Sequence, residues 1–187
     1  QFQDDFRKLD WDVWRTGHPW GKNVHTDWLW KWWPDRSELT KYGVVYPTPA
    51  GLALELRKFS RIFKRVDLPE WQRRNAQLAE WKAGYCMGCI SSKRTWVHGW
   101  FEAEVKLPAG RGQWAAFWLS GSENWPPEID VFESYSLESG VVEPKPNVHF
   151  GKAGTWLDGK RDSGQPRTYL KNPQDRWIKY AVHWTED

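Results

Sequence analysis

Three acids stand close together in WPPEIDVFESY, residues 125–135: Glu128, Asp130 and Glu133, set among Ile129, Val131 and Phe132. The apolar members favour a strand, where an acid without a task is a cost. On a regular strand Glu128 and Asp130 share a face, whereas Glu133, five positions from Glu128, points the other way. One extra residue, a β-bulge, brings all three to one face, so the spacing predicts a bulge near Val131 and Phe132. Crowded carboxyls raise one another's proton affinity, and one can then act as a general acid while a neighbour attacks as an anion. With the bulge the two glutamates lie roughly four strand steps of ~3.3 Å apart, a gap that leaning side chains narrow. A separation near ~5 Å is the one at which a carboxylate attacks a sugar carbon and anomeric configuration is retained. The same triplet also suits a solvated acidic strand face or a calcium site, because ion-pair networks perturb acids as well.

The chain holds seventeen tryptophans in 187 residues, more large rings than a core of this size buries completely. Indoles stack on the C–H faces of sugar rings, so part of this set is expected to face a carbohydrate and the rest to fill the core. Cys86 and Cys89 form a CxxC without a second pair, and His18, His25, His98, His149 and His183 lie far from them in sequence. Zinc needs two more ligands, so two reduced or locally paired thiols are expected and no metal ligand set is read here.

The elements that must hold these groups are strands. From Gly99, Phe101, Ala103, Val105 and Leu107 alternate with Trp100, Glu102, Glu104 and Lys106, which predicts a half-buried strand ending near Pro108. Residues 113–119 put Trp114, Ala116 and Trp118 on one face and Ala115, Phe117 and Leu119 on the other, so this strand is expected to be central and covered. Residues 51–59, with Leu52, Leu54 and Leu56 in alternation, and residues 177–184, with Ile178, Tyr180, Val182 and Trp184, read as two more strands. PEWQRRNAQLAEWK, residues 69–82, is the one helix-like run, and with Trp71, Leu78 and Trp81 it equally suits an excursion between strands. Pro- and Gly-bearing turns separate the runs, at residues 46–51, 108–112, 120–127, 143–146 and 151–164. Many short strands without repeats predict an all-β sandwich, and a β-jelly roll suits a concave substrate cleft that grips an extended ligand. The length predicts one domain over residues 1–187.

A formal net charge of +3 without a long basic run argues against a nucleic-acid partner. No run approaches the ~20 apolar residues of a membrane helix, so membrane insertion is not expected. Gln1 in place of Met suggests that a signal peptide or a tag was removed, which is compatible with a secreted, periplasmic or extracellular protein.

The segment Glu128-Ile129-Asp130-Val131-Phe132-Glu133 resembles the bulged E-[I/L]-D-x-x-E signature of glycoside hydrolase family 16, the laminarinase, agarase and carrageenase type. GWFEAEVKLPAGRGQWAAFWLSG, residues 99–121, is similar to the family's G-x-F-E-A-R-x-K-L-P…G-x-W-P-A-F-W block, with Glu104 where relatives often carry Arg. FRKLDWDVW at residues 6–14, NVHFG at 147–151 and YAVHW at 180–184 resemble further family blocks, so the likeness covers almost the whole chain. Relatives continue past the YAVHW-like strand with another hairpin, whereas this chain stops at Asp187; the resemblance therefore implies a jelly roll lacking C-terminal strands.

By that resemblance Glu128 is the nucleophile, Glu133 the general acid and base, and Asp130 the group that holds Glu128 and tunes its proton affinity. Trp125 falls at a sugar-platform position, Trp118 at the cleft position of the A-F-W block, and His149 at that of a cleft histidine; Trp114 joins them as a substrate-binding candidate. The implied activity is a retaining endo-β-glycanase on β-1,3- or mixed β-1,3/1,4-glucan. A β-galactanase on agar, carrageenan or host galactan is the alternative, and a non-catalytic carbohydrate-binding jelly roll the alternative of another class. No redox cofactor is required, and a structural calcium is compatible with the family.

Overall fold

The computed structural model describes residues 1–18, 31, 32, 34, 36–67, 80–123, 125–136, 142–151 and 173–186. Its contacts gather into two compact units, residues 1–95 and residues 96–187.

Among its described residues the first unit contains strands β1 (Trp14–Thr16), β2 (Lys31–Trp32), β3 (Val45–Thr48), β4 (Gly51–Leu54), β5 (Leu56–Lys64), β6 (Glu80–Met87) and β7 (Ile90–Ser92), with one short α-helix, α1 (Leu39–Tyr42), and a 3-10 turn at Arg65–Asp67. β1 pairs with β7, β3 with β4, and β6 lies between β2 and β5. Leu39, Val44, Val45, Phe63, Ala83 and Cys86 form its buried core. The leucine run at 51–59 does not make one strand. It breaks at Glu55, where the chain leaves β3 for β6. The Glu55 N–H donates to Val44 O at 2.8 Å and its carbonyl accepts from Gly88 N at 2.6 Å, while Tyr46 and Arg57 hold its carboxylate. A β-carbon on Gly88 would meet Val44 O at 2.3 Å, so glycine is required at this close approach. Leu54 and Leu56, on either side of the break, are exposed. The helix-like run at 69–82 lies mostly outside the described residues, and its last three residues open β6 rather than a helix. Cys86 and Cys89 are both free thiols, and burial raises the proton affinity of each.

The second unit contains β8 (Gly99–Val105), β9 (Trp114–Ser120), β10 (Glu128–Ser136), β11 (Val142–His149) and β12 (Ile178–Trp184). β8 and β12 pair antiparallel from Gly99–Trp184 to Val105–Ile178. Both alternate half-buried and exposed residues, as their two-residue periodicity predicts. β10 lies between β9 and β11, and Phe132 on β10 packs with Leu107 as the core, its ring 4.4 Å from that of Tyr180. Two sequence expectations change here. β9 pairs only with β10 among the described residues and is half-buried, with Trp114 exposed, rather than central and covered. Its two apolar faces have separate reasons: Ala115 and Phe117 pack on the core, and the opposite face lies beside the acids. Residues 143–146, read as a turn, belong to β11. Pro144 and Pro146 occupy alternate positions, so their missing N–H groups fall on one side of the strand, which is tolerated at a sheet edge, where β11 lies among the described residues.

Candidate active site

The face of the β9–β10–β11 sheet is set by register. Against β9, Glu128, Asp130 and Glu133 stand opposite Ser120, Trp118 and Ala116; against β11 they stand opposite His149, Asn147 and Lys145. Opposed residues of an antiparallel pair share a face. β10 gains one residue on β9 between Asp130 and Phe132, and one on β11 between Asp130 and Glu133. The bulge therefore sits at Val131 and Phe132, where the odd spacing of the acids places it. It sends Phe132 to the core and keeps Glu133 beside the other two carboxyls.

Each acid has a different setting. Asp130 is buried, with only 3% of its surface exposed, and its carboxyl is raised to about 7. Burial is the main cause; the negative charges of Glu133 and Glu128 add to it, and His149 partly offsets it. Burial also raises Glu128, and Glu133 raises it further, against the opposing effect of hydrogen bonds from Trp125 and Asp130. Near neutrality Asp130 thus holds a proton for part of the time and can donate it in a hydrogen bond to ionised Glu128. Glu128 Oε2 accepts the Trp125 indole N–H at 3.0 Å, and Glu133 Oε1 accepts that of Trp114 at 3.0 Å. His149 Nε2 lies 3.4 Å from Glu128 Oε1 and 3.3 Å from Asp130 Oδ2, and its ring centroid is 5.5 Å from that of Trp125.

All seven residues singled out in the sequence, Glu128, Asp130, Glu133, Trp114, Trp118, Trp125 and His149, fall in this sheet or its approach turn. Asn147 and Lys145 were missed. Asn147 Nδ2 is 3.0 Å from His149 Nε2, and Lys145 pairs in register with Glu133. The signal was present as the alternation of 145, 147 and 149, but the two prolines concealed the strand. Glu128, Asp130 and His149 also bring one donor atom each within 4.8 Å of the others, a ligand set that sequence spacing did not reveal.

Residues 38–187 match the profile described as glycosyl hydrolases family 16. The chain belongs to that family. Among curated relatives of this family-16 chain, a beta-glucanase of Rhodothermus marinus is 34% identical over 103 residues, covering 51% of this chain and 34% of the relative. The endo-1,3-1,4-beta-glycanase EglC of Rhizobium meliloti (strain 1021) is 32% identical over 106 residues, covering 55% and 21%. The match thus spans about a third or less of these relatives' lengths. Among solved structures, a LamA variant from Z. galactanivorans in complex with laminaritriose and laminaritetraose aligns with a TM-score of 0.64 at 19% identity, covering 99% of this chain and 73% of that one. At that identity the likeness concerns the fold, which is the all-β jelly roll of family 16.

Proposed function

We propose that this family-16 chain is a retaining endo-β-glycanase in which Glu128 attacks and Glu133 transfers protons. The observation that carries this reading is the bulge, which puts three differently surrounded carboxyls on one face of the sheet. In the first step the carboxylic acid of Glu133 protonates the glycosidic oxygen as its bond to the anomeric carbon breaks, and a Glu128 oxygen bonds to that carbon. In the second step Glu133, now a carboxylate, removes a proton from water whose oxygen attacks the same carbon and releases Glu128. Asp130 holds Glu128 in place and, keeping its own proton, donates a hydrogen bond to the Glu128 carboxylate as negative charge returns to it. Trp125 and Trp114 orient the two glutamates through their indole N–H groups. The reaction draws on carboxyls and water alone.

β-1,3- or mixed β-1,3/1,4-glucan is the proposed substrate. The names of the curated relatives and the laminari-oligosaccharides bound to the LamA variant support it. A polymer of that size is met outside the cell, which fits a secreted protein. Reducing-end release from laminarin, lichenan, agarose and carrageenan tests the reading. Release is expected from laminarin or lichenan, and Glu128→Gln should lower it by about three orders of magnitude or more. Unchanged release in Glu128→Gln would remove Glu128 from its role. Oligosaccharide binding without release from any glycan would make the chain a binding module.

A further inference from the structure

His149 reaches between two carboxyls, one of which has an oxygen with no hydrogen-bond donor. Asp130 Oδ2 is buried in a residue only 3% exposed and accepts no hydrogen bond, although it lies 3.3 Å from His149 Nε2. Glu128 Oε1 is 3.4 Å from the same nitrogen. A tetrahedral ion with ligand bonds of about 2.0–2.1 Å has ligand-to-ligand edges of about 3.3–3.4 Å. The two measured edges match that figure, and all three donor atoms fall within 4.8 Å of one another. Among the described residues no other three His, Cys, Asp or Glu side chains bring donors so close.

We propose that Glu128, Asp130 and His149 form a binding site for a zinc-like divalent ion, filled when no glycan is bound and blocking hydrolysis while filled. One nitrogen and two carboxylate oxygens suit zinc or its transition-metal neighbours, whereas calcium and magnesium call for more oxygens. The ion's charge relieves the crowding of the carboxyls, and Asp130 Oδ2 gains the partner it lacks. Asn147, whose Nδ2 is 3.0 Å from His149 Nε2, gives way at that nitrogen. Coordination occupies Glu128 Oε1, so ion and sugar exclude each other. The blocking rests on the reading of Glu128 as nucleophile, while the binding does not.

Calorimetric titration of the full chain with zinc chloride separates the two. One ion per chain is expected, with a Kd of ~1–100 μM. Affinity should fall at least about tenfold in His149→Gln and in Asp130→Asn and stay unchanged in the double variant Cys86→Ser, Cys89→Ser. Cobalt provides a readout on the unaltered chain: visible absorption bands of tetrahedral intensity, lost when a laminari-oligosaccharide is added. Zinc should inhibit competitively against glycan, with activity restored by EDTA. No binding up to ~1 mM, affinity that survives His149→Gln, or affinity that moves with the cysteines would each overturn the proposal. A bound ion in a chain that hydrolyses none of the glycans would leave the site standing and remove only its inhibitory meaning.

Discussion

Glu128 is subject to opposing effects that a single substitution can separate. Burial raises its proton affinity, and the Trp125 indole N–H, 3.0 Å from Oε2, opposes that by favouring the ionised form. A nucleophile must be ionised, so kcat/KM rises as pH passes its pKa. Trp125→Phe keeps a ring for sugar but removes the donor, which raises that pKa. The acid limb of the pH–kcat/KM profile should therefore move to higher pH, and the loss of rate should be largest on the acid side of the optimum. A limb that stays in place while KM alone rises would show that Trp125 acts only as a platform. Residue types made this setting partly legible: three acids among strand formers declare that they are held for a reason. Which indole serves which acid depends on register and turn geometry, and sequence spacing alone does not fix it.

At the scale of the element, the bulge decides whether Glu133 takes part. The odd spacing between Glu128 and Glu133 made it readable, because only an added residue puts both on one face. Other strand features were concealed by ordinary composition. The regular leucine alternation through 51–59 gives no sign that the chain changes partners at Glu55, since the cause is a long-range backbone contact with Val44 and Gly88. Pro144 and Pro146 look like punctuation until β11 is seen at the edge of its sheet among the described residues. The parity behind the bulge yields a test in two directions. Deleting Val131 leaves an even spacing, so Glu133 stays on the active face; folding should weaken by about 1–3 kcal/mol with the loss of a buried side chain, but measurable hydrolysis should persist. Inserting one alanine between Val131 and Phe132 also makes the spacing even and keeps Glu133 on the active face. Without a bulge, however, it carries Glu133 about two strand steps, ~6.6 Å, farther from Glu128, too far for both carboxyls to act on one glycosidic bond. Reducing-end release should then fall to the level of Glu133→Gln, with thermal unfolding at lower temperature. Equal activity in the two variants would mean that distance along the strand from Glu128 does not decide whether Glu133 takes part.

At the scale of the whole molecule, the site is a burden on stability that changes with pH. Among the described residues the buried hydrophobic side chains of the second unit are few, Leu107, Val131 and Phe132, and Val131 and Phe132 belong to the same bulge that gathers the acids. Asp130 is nearly enclosed there, and its carboxyl moves from an ordinary 3.8 to about 7 on folding. A raised carboxyl favours the folded state when protonated. Its contribution is complete below about 3.8, declines as pH rises through the interval to about 7, and is absent above that. Asp130→Asn removes the titration while preserving the shape of the protonated side chain. The melting temperatures of the two proteins, measured with EDTA present, should converge at the acid end of the interval. They should separate by about 3 °C or more above its upper end, with the asparagine variant higher. The comparison cancels every group that titrates alike in both proteins. A constant difference across the interval would mean that Asp130 meets folding with no change in its proton affinity. A lower melting temperature for the variant above the interval would mean that the ionised carboxylate stabilises the fold, contrary to its burial between two other acids.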